Sequence, residues 1–191
     1  MKPTIFDPSV VIFFDLDETL MDPHRNARQL SPPYSAMQGD TTKQFIRDLK
    51  TAKVTMFGLT ARRWEHASWT EQRLGEADVD FRDPERHVSG LVHLNLENNV
   101  AIVNDIIYTS GSDKGTALQE LQDREDLKLV SSQMFASSFK TMVFVDDLPY
   151  HVLAVHRFFR GLDKNTYAVN YRWLANYQHP SISFTNYPVI F

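Results

Sequence analysis

The chain has 191 residues, a length that fits one domain with at most a small insertion. Its formal net charge of −4, without a dense block of Lys and Arg, argues against a general nucleic-acid binder. The absence of cysteine excludes disulfides, thiolate metal sites and a cysteine nucleophile.

Targeting signals do not stand out in the sequence. The N-terminus lacks a basic region followed by an apolar core, so we expect no cleavable signal peptide. No apolar run approaches the roughly 18 residues that span a bilayer, so we expect no transmembrane segment. We predict a soluble monomer that resides in the cytoplasm or is delivered into a host cell. The chain is also compatible with a fragment of a longer protein.

The first predicted element is a buried strand, the apolar run Val10–Phe14. It ends abruptly in three carboxylates, Asp15, Asp17 and Glu18. Like charges at the edge of a core are costly unless a positive charge lies among them. A loop rich in Pro, Ser, Arg and Gln then fills residues 22–40.

A helix and a second strand are predicted next. Thr41 and Gln44 have the spacing of a capping box, which predicts a helix over residues 42–50. The apolar run 53–60 predicts a short strand. The helical period of the following residues ends near Gly75, a typical helix stop.

The middle of the chain predicts irregular structure and a small antiparallel meander over residues 81–111. The turn-like pairs Asn98-Asn99 and Asn104-Asp105 separate short apolar runs there. A helix follows, with Ser112 or Asp113 as its cap.

The last third of the chain predicts a buried strand over Thr141–Val145, then the carboxylate pair Asp146-Asp147, then a helix and a final strand within 166–173. Strands that alternate with helices indicate an α/β fold, with a Rossmann-like, mainly parallel sheet flanked by helices. We expect one domain over 1–191 without a large cap, in which the loop 22–40 and the region 81–111 are minimal cap elements.

Four short polar motifs follow predicted strands or begin a helix. In parallel sheets, ligands bind beyond the carboxyl ends of the strands, which makes these motifs the candidate site. They are DLDET (15–19), GLTAR (58–62), SDKG (112–115) and VDDLP (145–149).

The order and character of these motifs resemble the haloacid dehalogenase-like superfamily, most of whose members are magnesium-dependent phosphohydrolases. The resemblance covers roughly residues 10–172. Its first motif, Asp-x-Asp-x-Thr after an apolar strand, is matched by Asp15, Asp17 and Thr19. Small-cap bacterial phosphatases are the most similar members.

A metal ion fits the predicted cluster. Asp15, Asp146 and Asp147 repel one another at neighbouring strand ends unless a cation intervenes, and oxygen ligands suit Mg²⁺. The resemblance implies Asp15 and Asp146 as direct ligands. It also implies the backbone carbonyl of Asp17 as a ligand, and Asp147 acting through water.

The resemblance implies phosphoryl transfer through an aspartyl-phosphate. Asp15 is the predicted nucleophile and Asp17 the acid and base. Lys114 and Thr60 are expected to contact the transferring phosphoryl group. We expect Thr60, Ala61, Arg62 and Lys114 to bind the substrate.

A small cap predicts an open site for phosphoproteins, including phosphotyrosine proteins, or for aryl phosphates. A small-molecule phosphatase and a phosphotransferase remain alternatives, as does a non-enzymatic domain that accepts or binds phosphate. Arg62 has two interpretations as well, because such an arginine either contacts phosphate or substrate or pairs with an acidic residue of the surface.

Overall fold

The computed structural model describes residues 5–21, 40–83, 100–124 and 132–170. A short 3₁₀ turn over Trp64–His66 precedes the second helix. The main strands and α-helices in these ranges are β1 (Val10–Phe14), α1 (Asp40–Thr51), β2 (Thr55–Thr60), α2 (Ala67–Glu76), β3 (Ala101–Val103), β4 (Ile106–Tyr108), α3 (Lys114–Asp123), β5 (Thr141–Asp146), α4 (Pro149–Arg160) and β6 (Asn165–Asn170). Residues 132–134 are also helical.

The strands form one sheet in the order β3-β4-β2-β1-β5-β6. Neighbouring strands run parallel from β4 to β6, and only β3 pairs antiparallel, with β4. The chain proceeds from β1 to β2 and β4 on one side, then crosses to β5 on the other. The topological switch point, where open α/β sheets bind ligands, therefore lies between β1 and β5. The predicted fold class is confirmed.

Two apolar layers cover the two faces of this sheet. Val11 and Phe13 pack with α3 and α4, whereas Ile12 and Phe14 pack with α1 and α2. Because successive side chains of a strand point to opposite faces, a strand covered on both faces must be apolar throughout. This explains the uninterrupted apolar run of β1.

The hairpin β3–β4 contains the predicted turn Asn104-Asp105. Both residues have positive φ, 50° and 62°, as a two-residue type I′ turn requires. The turn pair Asn98-Asn99 and the loop 22–39 lie outside the described residues. The ranges that the structure describes contain no large cap.

Helix starts agree with the predictions except in one detail. Asp113 is the N-cap of α3, and its carboxylate accepts a hydrogen bond from Thr116 N at 2.8 Å. Helix α1 begins at Asp40, so Thr41 lies inside the first turn. The Gln44 side chain donates to Asp48 Oδ1 at 2.7 Å, one turn towards the C-terminus. The predicted helix is therefore present, but it begins two residues before the predicted start at residue 42.

Among the helices in these ranges, none combines the length and the hydropathy needed to cross a bilayer.

Candidate functional site

Asp15 and Asp146 stand side by side at the switch point. Phe14 pairs with Val145 in the parallel β1–β5 ladder, so the next residue of each strand is an aspartate at the same level. Asp15 lies two residues after Phe13, and Asp146 lies two residues after Phe144. Side chains two apart on a strand share one face of the sheet, so both aspartates lie on the face of these phenylalanines, which is covered by α3 and α4. The strand period thus turns both carboxylates towards the start of α3.

Lys114, the first residue of α3, lies between these two carboxylates. Its Nζ donates to Asp15 Oδ1 at 2.5 Å and to Asp146 Oδ2 at 2.6 Å. The lysine side chain is only 1% exposed and that of Asp146 is 0% exposed. Burial lowers the pKa of Lys114, but the two carboxylates outweigh it and the net pKa is raised. A buried triad of one ammonium group and two carboxyl groups therefore occupies the switch point.

Asp15 keeps one oxygen outside this triad. Burial raises the pKa of Asp15 to about 7, against the opposing effect of the Lys114 ammonium. Among the described residues, Asp15 Oδ2 is buried and accepts no hydrogen bond of good geometry, although the nearby Thr19 hydroxyl lowers the pKa of Asp15. Since an unpaired buried carboxylate oxygen is costly, this atom is suited to a ligand.

The donor set beside Asp15 fits a hard divalent cation. Asp15, Asp146 and Asp147 each offer an oxygen within 4.8 Å of the others. Burial, Asp146 and Glu18 raise the pKa of Asp147 to about 6, so the cluster is short of positive charge on this side. Three carboxylates with an unpaired oxygen match the ligands that Mg²⁺ prefers.

The loop after β5 holds Asp146 and Asp147 in position. Asp146 Oδ1 accepts from Leu148 N at 2.7 Å, a turn that closes just before Pro149 begins α4. Asn170, at the end of β6, donates from Nδ2 to the backbone oxygen of Asp147 at 2.8 Å. Both oxygens of Asp146 are thus hydrogen-bonded within the protein.

Asp17 forms a separate ion pair with Arg62. Arg62 Nε donates to Asp17 Oδ2 at 2.8 Å and its Nη2 donates to Asp17 Oδ1 at 2.6 Å. Of the two interpretations of Arg62, the structure has the ion pair, but the acidic partner is the predicted acid and base of the site.

Thr60, Ala61 and Arg62 form a tightly held loop at the end of β2. Thr60 is buried, and its Oγ1 accepts from Arg62 N at 3.2 Å. The backbone oxygens of the three residues accept from the amides of Thr109, Gly111 and Ser110, respectively, at 2.9, 2.9 and 3.1 Å. Ala61 therefore takes part in these loop contacts through its backbone oxygen.

Two exposed aromatic side chains lie close to residues of the site, Trp69 in space and Tyr150 in sequence. Trp69 of α2 is 43% exposed and its ring lies 4.6 Å from the guanidinium of Arg62. Tyr150, which follows Asp146 and Asp147 by only a few residues, is 59% exposed.

Two features of the site escaped the sequence reasoning. The sequence predicts Lys114 at the phosphoryl group, but it does not predict the contact of Lys114 with both Asp15 and Asp146. A signal existed, because a lysine in the first turn of a helix opposes the helix dipole and requires a nearby anion. Thr70, which accepts from Arg62 Nη1 at 3.0 Å, left no sequence signal because its burial depends on tertiary packing.

The chain belongs to the DUF2608 family, described as proteins of unknown function, whose model matches residues 37–184. The matched part contains Arg62, Lys114 and Asp146 but begins after Asp15 and Asp17. No curated protein and no solved structure matches the chain.

Proposed function

We propose that this DUF2608 protein is a Mg²⁺-dependent phosphomonoester hydrolase of the haloacid dehalogenase-like type, acting through an aspartyl-phosphate at Asp15. The supporting observation is the buried bridge of Lys114 between Asp15 and Asp146, beside an unpaired oxygen of Asp15. A nucleophilic carboxylate, a fixed cation and a metal-binding oxygen set adjoin at one edge of the sheet.

Asp15, Asp146 and Asp147 would hold the metal, together with the backbone carbonyl of Asp17. When bound, Mg²⁺ supplies positive charge against the phosphoryl oxygens and favours the ionised form of Asp15.

Asp15 and Asp17 divide the chemistry between them. In the first step a carboxylate oxygen of Asp15 forms a bond to phosphorus as the ester P–O bond breaks, and Asp17 donates its proton to the leaving oxygen. In the second step water attacks the aspartyl-phosphate, Asp17 accepts the proton from that water, and Asp15 is released with inorganic phosphate.

Lys114 and Thr60 complete the proposed machinery. Lys114 Nζ is fixed by two carboxylates, so its charge needs no reorganisation as negative charge develops on the phosphoryl group. Thr60 Oγ1 accepts from Arg62 N and keeps its own O–H for donation to a phosphoryl oxygen.

The substrate that we infer is an aryl phosphate or the phosphotyrosine of a protein. The described residues include no large cap over the site. The ring of Tyr150 is 59% exposed and follows Asp146 and Asp147 closely in sequence, which suits contact with an aromatic leaving group.

The activity is tested with phenyl phosphate in the presence of Mg²⁺ or of chelator. We expect phenol and inorganic phosphate in equal amounts, dependent on the metal and abolished in Asp15→Asn. Phenol in excess over phosphate when an alcohol is added would identify a phosphotransferase. Hydrolysis that continues unchanged in Asp15→Asn would refute the proposal.

The substrate class is tested with a pair of tyrosine variants. Tyr150→Ala is expected to raise KM for a phosphotyrosine peptide, because it removes the exposed ring that we propose to contact the aromatic leaving group. Tyr167→Ala is the matched control, since Tyr167 is also exposed (49%) but lies on β6 at the alternation opposite to Asp146. Equal effects of both substitutions would exclude a substrate contact by Tyr150.

A further inference from the structure

Arg62 has more fixed contacts than an arginine reserved for substrate would have. Its guanidinium donates two parallel hydrogen bonds to Asp17 and a third, from Nη1, to Thr70 Oγ1 at 3.0 Å. One face of the guanidinium lies 4.6 Å from the ring of Trp69. Its side chain is only 12% exposed. These contacts leave little of the guanidinium for an incoming phosphate.

The residues that contact Arg62 are themselves buried or hydrogen-bonded to neighbouring elements. Thr70 is 0% exposed and lies on the buried face of α2 with Leu74. Asn104 in the hairpin turn donates to Glu71 Oε1 at 2.7 Å, which joins α2 to the end of the sheet. The backbone of Arg62 is held as well, through its amide and its carbonyl.

We propose that Arg62 is the positioning residue for Asp17, and that α2 supplies its support through Thr70 and Trp69. This inference rests on the proposed function, in which Asp17 transfers protons. Asp17 is 34% exposed, and its neighbour Glu18 has a positive φ of 60° in a short turn. A bidentate arginine fixes both the position and the plane of a carboxylate, which a lysine cannot do.

Positioning of an acid predicts a selective kinetic defect. A 2,4-dinitrophenolate leaves without a proton, whereas phenolate leaves slowly unless Asp17 protonates it. For both esters kcat/KM covers the steps up to formation of the aspartyl-phosphate. Since a positioned general acid contributes about a hundredfold or more, Arg62→Ala should lower kcat/KM for phenyl phosphate about a hundredfold. For 2,4-dinitrophenyl phosphate the loss should be only a few-fold.

Three further variants complete the test. Asp17→Asn should show the same selectivity, and Asp17→Asn/Arg62→Ala should be no slower than Asp17→Asn alone. Arg62→Lys keeps the positive charge but cannot make the bidentate contact with Asp17, so we expect the same selective loss to a smaller degree. The matched control is Arg63→Ala, because Arg63 is the next arginine in sequence but pairs with Glu65 at the surface, at 3.2 Å. Arg63→Ala should leave kcat/KM unchanged for both esters.

The possible results distinguish a failure of the inference about Arg62 from a failure of the proposed phosphatase function. Equal losses on both esters in the Arg62→Ala and Arg62→Lys proteins would make Arg62 a structural or substrate-binding residue and would overturn the inference alone. Unchanged kinetics in both proteins would also overturn it. A wild-type protein that hydrolyses neither ester with Mg²⁺ would refute the proposed function and the inference with it.

Discussion

Replacement of the buried ammonium by Lys114→Met tests the triad at the switch point most sharply. Methionine fills a similar volume but leaves Asp15 and Asp146 as neighbouring buried carboxylates without a counter-charge. Removal of one partner from a buried ion pair costs about 3–5 kcal/mol. For a domain of this size each kcal/mol lowers Tm by roughly 2–4 °C, so we expect Tm to fall by about 6–20 °C.

Thermal unfolding in chelator measures this effect, with Lys50→Met as the control. Lys50 pairs with Asp80 at 3.8 Å on the surface, where an ion pair contributes less than about 1 kcal/mol. Lys114→Met/Asp146→Asn should recover part of the lost Tm, because only one buried carboxylate then remains. A Tm of Lys114→Met within a degree of wild type would refute the claim that Lys114 neutralises this cluster.

Three other predictions concern packing, pH and metal. Gly115→Ala should destabilise the protein by about 1–3 kcal/mol, because its Cβ would lie 2.5 Å from the backbone oxygen of Ala154 in α4. Denaturant unfolding checks this against Gly75→Ala, whose Cβ meets no atom of the described residues within 4 Å. In chelator, the free energy of unfolding should fall from about pH 4 to pH 7, because the raised pKa of Asp15, about 7, makes the folded state hold a proton that the unfolded chain releases. Asp15→Asn should flatten this slope in a pH series of denaturant titrations, and an unchanged slope would contradict the assignment. Asp147→Asn should weaken Mg²⁺ binding about tenfold by calorimetry, and undiminished affinity would remove Asp147 from the metal site.

The fold was accessible from sequence because its strong signals are local. The run Val10–Phe14 is apolar at every position, as a strand buried on both faces must be, and Asn104-Asp105 is a pair that tolerates positive φ. The boundary of α1 was less accessible. Helix ends depend on caps, and the spacing of Thr41 and Gln44 predicts a start at residue 42, two residues after the observed one.

The candidate site also has features that the sequence predicts and features that it does not. The placement of Asp15 beside Asp146 follows from strand ends and alternation, which a sequence displays. The partners of Asp17 and Lys114 do not follow, because they depend on which helix covers which face. Arg62 contacts Asp17 across 45 positions of sequence and Lys114 contacts Asp15 across 99, distances at which no local pattern operates.

The central claim is that Asp15 carries the phosphoryl group during turnover. Acid quenching of the protein with phenyl phosphate and Mg²⁺, followed by borohydride reduction and peptide mass spectrometry, measures this directly. We predict homoserine at position 15, the product of a reduced aspartyl-phosphate, in wild-type protein and its absence when chelator replaces Mg²⁺. Hydrolysis at full rate without any modification of Asp15, or with the phosphoryl group on another residue, would contradict the account.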